Sequence, residues 1–330
     1  MTSNQFSIRL HEARQMMGLS MEKLAELTGG IITKQSISRY EKGLMLPKRV
    51  AKLAMAKALN ISDSYFDGTN LKIDMPMLRT TSNGKLSEDE LQALEAKLSF
   101  WAEQYLAKEK EAGFPTQFKN PIKGTKVSTL EDAIQASSLL REKWHCGDGP
   151  IASILRLLER KGIMILAATL PDYVFGMSTW ADKKHPLMIL DFNPDKSSVE
   201  KLRFTAVHEL AHLLLLFPED SPLRLEKRCD LFASFFLLPK TALIEELGSR
   251  KRELITLEEM IDIKELYGAS LAASIIAARD YGIITTEYKR AWYAEHIEPN
   301  PREIGNGHYA FPETLGREKR VNSIIKSMEE

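Results

Sequence analysis

The feature that most constrains this chain is an apolar stretch around residue 208 that contains the sequence His-Glu-x-x-His. On a helix, positions i and i+4 lie on the same face, so His208 and His212 can direct two imidazoles at one metal ion. Glu209 follows the first histidine, where it can act as a general base toward water. The stretch is therefore predicted to be a helix that forms one wall of a metal site.

Three observations favour a metal site over two histidines that are satisfied by other partners. The residues around the histidines are uncharged, so the helix is expected to be buried, and buried imidazoles beside a carboxylate need the charge of a dication. Glu226 follows at the start of an apolar helix and completes a two-histidine, one-glutamate set that is typical of zinc. Asp230 lies one turn further on the same face, where it can accept the outer N–H of a ligating histidine.

Other metals and other roles for nearby residues stay open. An imidazole-rich set with one carboxylate suits Zn2+ best, and manganese, cobalt and iron are the alternatives. Cys229 lies off the face shared by Glu226 and Asp230, and we interpret it as a small core residue rather than a ligand. His185, in a predicted strand turn, is interpreted as exposed, with polarisation of a substrate carbonyl as the alternative.

The composition is that of an ordinary soluble protein and argues against disulfide-rich, secreted and membrane-spanning proteins. Of the 330 residues, 44% are hydrophobic and 27% are charged, and 45 basic residues balance 45 acidic ones. Two cysteines, Cys146 and Cys229, make no disulfide framework and suit a reducing compartment. The first residues do not have the pattern of a secretory leader, and the apolar runs are too short to span a bilayer. We therefore expect a cytoplasmic protein with no membrane partner.

Residues 1–70 form a mildly basic segment, with ten Lys and Arg residues against six Asp and Glu residues, a net charge of +4. Apolar residues recur there at helical spacing in short runs that turn residues separate. Ser20 and Thr33 are placed to cap a second and a third helix, and Gly29-Gly30 forces a turn between them. This arrangement predicts a helix-turn-helix.

The predicted third helix carries polar, hydrogen-bonding side chains on its outer face: Lys34, Gln35, Ser36, Ser38 and Arg39. Such side chains can enter the major groove of DNA, where Gln pairs with adenine and Arg or Lys with guanine or phosphate. The alternative is a small helical bundle whose polar face is only solvated. We expect binding to a double-stranded DNA operator, by a homodimer that spans two half-sites.

Residues 35–43, Gln-Ser-Ile-Ser-Arg-Tyr-Glu-Lys-Gly, carry a resemblance to a known family. They resemble the third helix of XRE/Cro-like regulators, which typically has Gln-x-x-Ser-x-x-Glu-x-Gly. The resemblance covers most of residues 1–70 and implies a DNA-binding domain. This chain departs from the commonest form by a longer turn before that helix, through Gly29-Gly30-Ile31-Ile32.

A helical connector is expected over residues 71–145. Its main element is a long helix that ends near Glu111. An apolar seam follows that helix at alternating spacings of three and four: Leu91, Leu94, Leu98, Trp101 and Tyr105. The seam can serve as a dimerising arm, or it can pack the helix on its own chain, which its shortness favours.

Residues 146–296 are expected to form the metal domain, and residues 297–330 a tail that ends in a helix. In the metal domain, Asp148 is placed to cap a first helix, and the motif helix follows a small antiparallel sheet. Three buried strands are predicted for that sheet: residues 163–167, 173–180 and 187–190. The chain is therefore expected to be mainly α with a small antiparallel β-sheet, an α+β fold.

The sequence from Arg203-Phe204-Thr205 through His212, and residues 226–239 after it, resemble the ImmA/IrrE family of metallopeptidases. That family typically shows His-Glu-Leu-x-His, then Glu-x-Glu-Ala-Asn/Asp-x-Phe-Ala and Leu-Leu-x-Pro. This chain has Arg228 for the second Glu and Cys229 for the Ala. The resemblance covers roughly residues 150–284. It implies a zincin-like metallopeptidase domain that cleaves a partner repressor.

The residues and the two resemblances together predict a DNA-binding transcriptional regulator with a zinc-dependent endopeptidase, in a stress, mobile-element or toxin–antitoxin response. Zn2+ would be held by His208, His212 and Glu226, with Glu209 as the base in the hydrolysis of a repressor protein. The alternative is a non-enzymatic regulator or antitoxin whose metal domain is a sensor or scaffold. The intact Glu209 favours the enzyme, because a structural zinc site needs closed coordination and no base.

A peptide substrate is expected to lie extended along the edge strand at residues 173–180, by β-augmentation. The developing oxyanion needs a hydrogen-bond donor or a cation close to it. Tyr173, His185 and Tyr309 are unranked candidates for that role.

Overall fold

The structure is a computed structural model that describes residues 3–59, 61, 63–68, 71–74, 88–114, 117–170, 172–248 and 250–329. Packing divides the chain into two compact units. The first unit comprises Met1–Pro115 and Trp180–Lys183, and the second comprises Thr116–Thr179 and Lys184–Glu330. One part of the expected connector therefore clusters with the first unit and the other part with the second.

Short helices build the first unit in the order that the sequence predicts. Their bounds are α1 Ser3–Met16, α2 Met21–Leu27, α3 Lys34–Glu41 and α4 Arg49–Ala58, followed by a 3-10 turn at Asp63–Asp67. Ser20 caps α2 by accepting a hydrogen bond from the Lys23 amide, and Thr33 caps α3 through the Ser36 amide. Both caps are at the predicted positions, because each hydroxyl satisfies an amide that the first helical turn leaves without a partner.

The turn between α2 and α3 uses left-handed backbone at two successive residues. Gly29 and Gly30 have φ of 67° and 81°, which glycine adopts readily because it has no Cβ. The following residues return the chain to the interior: Ile31 is exposed, whereas Ile32 is buried in the core of the first unit. The longer turn is thus anchored by one apolar side chain.

The inward faces of these helices form the core of the first unit. Phe6, Leu10, Leu24, Ile37 and Met55 are fully buried in it. Burying a side chain of this size stabilises a protein by about 1.5–3 kcal/mol relative to exposure. Because Ile37 anchors the inner face of α3, the opposite face of that helix is left to solvent.

A long helix, α5 (Glu88–Glu111), belongs to the same unit and packs against α1. Glu103 of α5 accepts a hydrogen bond of 3.0 Å from the Arg9 guanidinium of α1. Leu98 and Tyr105 of the predicted seam are buried within the single chain. At these positions the helix packs on its own chain, which was one of the two interpretations of the seam.

The second unit contains the last helix of the predicted connector together with the helices of the predicted metal domain and the tail. They are α6 Leu130–Trp144, α7 Ile154–Arg160, α8 Val199–Leu214, α9 Pro222–Leu237, α10 Lys240–Leu247, α11 Leu257–Tyr267, α12 Leu271–Asp280, α13 Thr286–His296 and α14 Arg317–Glu329. The predicted cap of α7 at Asp148 is wrong. Ser153 is the cap, and Glu313 also accepts hydrogen bonds from the first amides of α7, which lets the helix begin there.

Four strands in the described part of the chain form a sheet: β1 Ile73–Asp74, β2 Met164–Ala167, β3 Gly176–Ala181 and β4 His185–Leu190. Their order is β1-β3-β4-β2. β1 is antiparallel to β3, with Ile73 opposite Ala181, whereas β2 is parallel to β4, with Met164 opposite Leu187. The α+β class is confirmed, but the sheet is mixed rather than antiparallel throughout. The reason is that β2 joins the outer side of β4 instead of pairing with the next strand in sequence.

Gly176 allows β3 to lie close against α8. A Cβ on this residue would come within 2.7 Å of Cγ2 of Thr205 and 2.9 Å of Cδ2 of Leu190. Carbon atoms do not approach so closely in a packed interior, so a larger residue would push β3 away from α8. Glycine at this position thus sets the distance between the strand and the helix of the His-Glu-x-x-His motif.

Buried carboxylates build the tail into the second unit. Glu313 forms an ion pair with Arg203 of α8, and both side chains are fully buried. Glu303 accepts hydrogen bonds from the Lys264 ammonium and from two amides at the start of α12. The tail therefore stabilises the helix that carries the motif, a role that the sequence does not reveal.

Among the helices in the described ranges, none combines the length and the apolar composition that a membrane crossing requires.

Candidate metal centre

The motif helix α8 is capped by Ser198, which accepts a hydrogen bond from the Lys201 amide. Its apolar residues are buried and hold it in the interior: Ala206, Val207, Leu210 and Ala211. Glu209 is 9% exposed, and the side chains of His208 and His212 are 15% and 26% exposed. The two imidazoles therefore reach solvent from one face of an otherwise buried helix.

A second helix, α9, packs against α8 and brings two carboxylates to the histidines. Oε2 of Glu226 lies 3.0 Å from Nε2 of His208 and 3.5 Å from Nε2 of His212. The two Nε2 atoms are 3.2 Å apart. Behind this group, Oδ1 of Asp230 lies 2.9 Å from Nδ1 of His208. The structure thus brings together the side chains that the sequence predicts for the ligands and for the outer partner.

The spacing of these atoms fits a tetrahedral metal ion. The three potential ligand atoms are separated by 3.0, 3.2 and 3.5 Å. Zinc bonds of about 2.0–2.2 Å at tetrahedral angles place ligand atoms about 3.3–3.6 Å apart. If Nδ1 of His208 donates to Asp230, its Nε2 is an acceptor that faces the carboxylate of Glu226. Two acceptors at that distance repel unless a cation or a proton lies between them.

The same charges shift the pKa values of two groups. Burial alone would lower the pKa of His208, but hydrogen bonds to Asp230 and Glu226 raise that pKa to about 9. Hydrogen bonds from His208 and His212 hold the pKa of the Glu226 carboxyl well below its ordinary value. The site is therefore negative enough to hold a cation, either as a proton on His208 or as a metal ion in its place.

Cys229 offers a competing third ligand, since its sulfur and a nitrogen of each histidine lie within 4.8 Å of one another. Its Sγ is 3.8 Å from Nδ1 of His212, the ring nitrogen opposite the one that faces His208. An imidazole binds an ion through one nitrogen, so His212 can share an ion with either Glu226 or Cys229. The shorter distances among the Nε2 atoms and the Glu226 carboxylate favour Glu226. Burial and nearby carboxylates also raise the pKa of the Cys229 thiol. Cys229 is then a partner for the outer nitrogen of His212, a contact that sequence reasoning missed.

Glu209 lies on the strand side of α8. Its Oε2 accepts a hydrogen bond of 2.7 Å from the hydroxyl of Ser178 in β3. Sequence reasoning missed Ser178, although the alternation of the strand carries a signal. Gly176 and Ser178 are two residues apart and share one face, so a glycine packed on α8 predicts that its neighbour faces α8 as well.

The outer face of α3 is open to solvent. Lys34, Gln35 and Arg39 are exposed, and Ser36 and Ser38 are half-buried. At the end of the helix Glu41 is tied to α1, where Arg14 donates to both carboxylate oxygens at 2.6 and 2.8 Å. Burial alone would raise the pKa of Glu41, but hydrogen bonds from Arg14 and His11 lower it. Glu41 therefore holds α3 against α1 as a charged group.

Comparison with known families decides the kind of each domain. Residues 10–66 match the family described as Helix-turn-helix, and residues 158–277 match the family described as IrrE N-terminal-like domain. The chain joins a helix-turn-helix domain to an IrrE-like domain. The first match contains α3, and the second contains α8, α9 and Ser178. The predicted fusion is confirmed, and with it a DNA-binding domain and a metallopeptidase-like domain.

Among solved structures, the crystal structure of ComR from Streptococcus suis matches at 16% identity, over 100% of this chain and 78% of that chain. Its TM-score of 0.19 is too low to support any statement about the present chain. No curated protein matches the chain.

Arg228 of the IrrE-like domain stands where the ImmA/IrrE pattern has a second Glu. Its Nη1 and Nη2 donate to Asp220 at 3.1 and 2.8 Å, and its Nε donates to the Ser128 carbonyl at 3.0 Å. These partners lie outside the group of ligand atoms. The departure from the pattern therefore leaves Glu226 in reach of both histidines.

Of the three oxyanion candidates, the structure assigns a role to one, Tyr309 of the tail. The hydroxyl of Tyr309 donates to the carbonyls of Ile151 and Ala152, and the residue is buried, so its role is structural. His185 begins β4, and within the described residues no hydrogen bond or ion pair joins it to the motif histidines. Tyr173 is 44% exposed just before β3 and stays a candidate.

Proposed function

We propose that this chain is a DNA-binding transcriptional regulator whose IrrE-like domain is a zinc-dependent endopeptidase that cleaves a repressor protein. The convergence of three ligand atoms at 3.0–3.5 Å, against the helix that also holds Glu209, carries the proposal. Imidazole and carboxylate donors in this number are typical of catalytic zinc. The helix-turn-helix domain would bring the activity to a double-stranded DNA operator.

In the proposed reaction His208, His212 and Glu226 hold the ion. When bound, zinc supplies polarisation of the scissile carbonyl and acidification of water. Glu209 accepts a proton from the attacking water as the water oxygen bonds to the carbonyl carbon. It then returns the proton to the amine nitrogen as the C–N bond breaks. Asp230 accepts the Nδ1–H of His208 and so keeps the tautomer that presents Nε2.

The test compares the wild type with Glu209→Gln, each expressed together with candidate repressors. We expect the two proteins to contain equal zinc, measured by mass spectrometry. We expect cleavage only in the wild type, because loss of a general base slows such reactions about 10²–10⁴-fold. Equal loss of the repressor with both proteins, or a wild type without zinc, would sink the enzymatic proposal.

A second candidate is a non-enzymatic regulator or antitoxin whose metal domain is a sensor or scaffold. The contact of 3.8 Å between Cys229 and His212 favours it, because a cysteine ligand is typical of closed structural zinc sites. In that case Glu209→Gln would leave regulation intact. Cys229→Ala would release the metal.

The proposed DNA contacts are tested on the outer face of α3. With a duplex selected from a random library, Gln35→Ala and Arg39→Ala should each weaken binding by about 1–3 kcal/mol if they contact bases. Affinity should also fall steeply with salt if phosphate contacts dominate. Glu287→Ala, an exposed residue of α13, is the control. Binding that matches the control in both variants would exclude α3 as the recognition helix.

A further inference from the structure

Two contacts join β3 to α8 in register. Gly176 meets Thr205, and Ser178 meets Glu209. Residues two apart on a strand share a face, and residues four apart on a helix share a face. The two contacts are therefore neighbours in one strand–helix interface. The first sets the distance between β3 and α8, and the second is a polar contact.

The polar contact involves Glu209, the residue that acts as the base in the proposed reaction. An ionised carboxylate only accepts hydrogen bonds, so the Ser178 hydroxyl is the donor to Oε2 of Glu209 at 2.7 Å. Hydrogen bonds to a charged acceptor are roughly twice as strong as neutral ones. Glu209 is 9% exposed, so few water molecules compete for this oxygen.

The bond leaves one carboxylate oxygen for chemistry. Within the described part of the chain no other hydrogen bond engages the Glu209 side chain, so Oε1 stays available as an acceptor. A general base must lie within hydrogen-bond reach of the proton that it abstracts. A carboxylate held by one oxygen keeps the other in a constant orientation, whereas an unheld carboxylate rotates between several.

We propose that Ser178 is a positioning residue for Glu209, which it orients by donating to Oε2. The proposal rests on the proposed peptidase function, since the orientation of Glu209 matters only if Glu209 is the base. Ser178 itself contacts neither substrate nor ligand atoms in this assignment. Its effect passes through the carboxylate of Glu209.

The first test needs neither metal nor substrate. In full-length protein stripped of metal by a chelator, Ser178→Ala, Glu209→Ala and the double variant are compared by thermal unfolding. We expect the melting temperature of the double variant to be no lower than that of the less stable single variant, because both changes remove the same hydrogen bond. Shifts in melting temperature that simply add would overturn the proposal.

The second test reads the orientation of Glu209 in zinc-loaded protein with acetohydroxamate as the probe. A hydroxamate chelates zinc and donates its O–H to a carboxylate beside the ion, so its affinity depends on where that carboxylate points. By titration calorimetry we expect Ser178→Ala to weaken binding about three- to tenfold, from the typical contribution of a hydrogen bond. Ser178→Thr, which keeps the hydroxyl, should restore it, and the zinc content should not change.

The outcomes separate the two proposals. Unchanged acetohydroxamate affinity in Ser178→Ala overturns the role of Ser178 and leaves the peptidase proposal standing. The role of Ser178 is likewise overturned if Ser178→Ala weakens acetohydroxamate binding as much in a Glu209→Ala background as in the wild type. A wild type that binds no zinc overturns the peptidase proposal itself, whatever the unfolding experiment shows about the bond.

Discussion

Glu226 and Cys229 are three residues apart on α9, and both approach the histidines of α8. The carboxylate faces the Nε2 atoms at 3.0 and 3.5 Å, whereas the thiol faces Nδ1 of His212 at 3.8 Å. The two ring nitrogens of one histidine point in opposite directions. Of these two α9 residues, only Glu226 therefore faces the nitrogens through which both rings can share one ion. This is the residue-scale choice on which the kind of site depends.

Glu226→Ala is expected to weaken zinc binding by more than the roughly 10–100-fold that loss of an outer partner costs. Cys229→Ala is expected to stay within that range, because Cys229 contacts only the outer nitrogen of His212. Competition with a chromophoric chelator measures both affinities. A larger loss of zinc affinity in Cys229→Ala than in Glu226→Ala would instead assign the metal site to the two histidines and the thiol.

At the scale of elements, β3 and α8 are held together by a glycine that has no room for a methyl group. Gly176→Ala is expected to destabilise the second unit by about 1–3 kcal/mol, the usual range for an overpacked core. Thr205→Ser removes the Cγ2 atom that the new Cβ would meet at 2.7 Å, so it should recover part of that loss. Thermal unfolding of the two variants and of the combined one measures this.

The matched control for that experiment is Gly149→Ala. A Cβ on Gly149 would meet no neighbouring atom within 4 Å, and the backbone there is not left-handed, so the replacement should be close to neutral. Equal destabilisation by the two glycine variants would contradict the packing argument. Gly176→Ala without recovery by Thr205→Ser would place the clash on Leu190 instead.

At the scale of the whole molecule, the tail outside the IrrE-like match is part of the fold of the second unit. Glu313→Ala is expected to lower the free energy of unfolding by about 3–5 kcal/mol, since it leaves Arg203 buried without its ion-pair partner and the first amides of α7 without their acceptor. Replacing both, as Arg203→Met with Glu313→Leu, should be less harmful than the single change. Chemical denaturation of the full chain measures these differences.

Glu298→Ala is the control for the tail, because Glu298 is an exposed carboxylate in the same segment. We expect it to stay within about 0.5 kcal/mol of the wild type, as surface substitutions do. If Glu313→Ala were no worse than Glu298→Ala, the buried ion pair would not hold the tail to α8.

Much of the molecule follows from short stretches of sequence. Ser20 and Thr33 cap their helices as predicted, because a cap depends on residues within one turn. The two motif histidines share a face for the same local reason. Asp148 was wrong as a cap because Glu313, far along the chain, satisfies the first amides of α7.

The sequence by itself determined the helix-turn-helix segment, the motif helix, the two kinds of domain and the residue types available to a metal. Each depends on side chains within a few positions of one another, where helical spacing and turn chemistry leave little choice. Only the tertiary structure decided that β2 lies beside β4 and that Arg203 meets Glu313. It also decided that Ser178 bonds to Glu209 and that Cys229 lies behind His212. These contacts join segments that are distant in sequence, and packing of whole elements, which no local pattern encodes, brings them together.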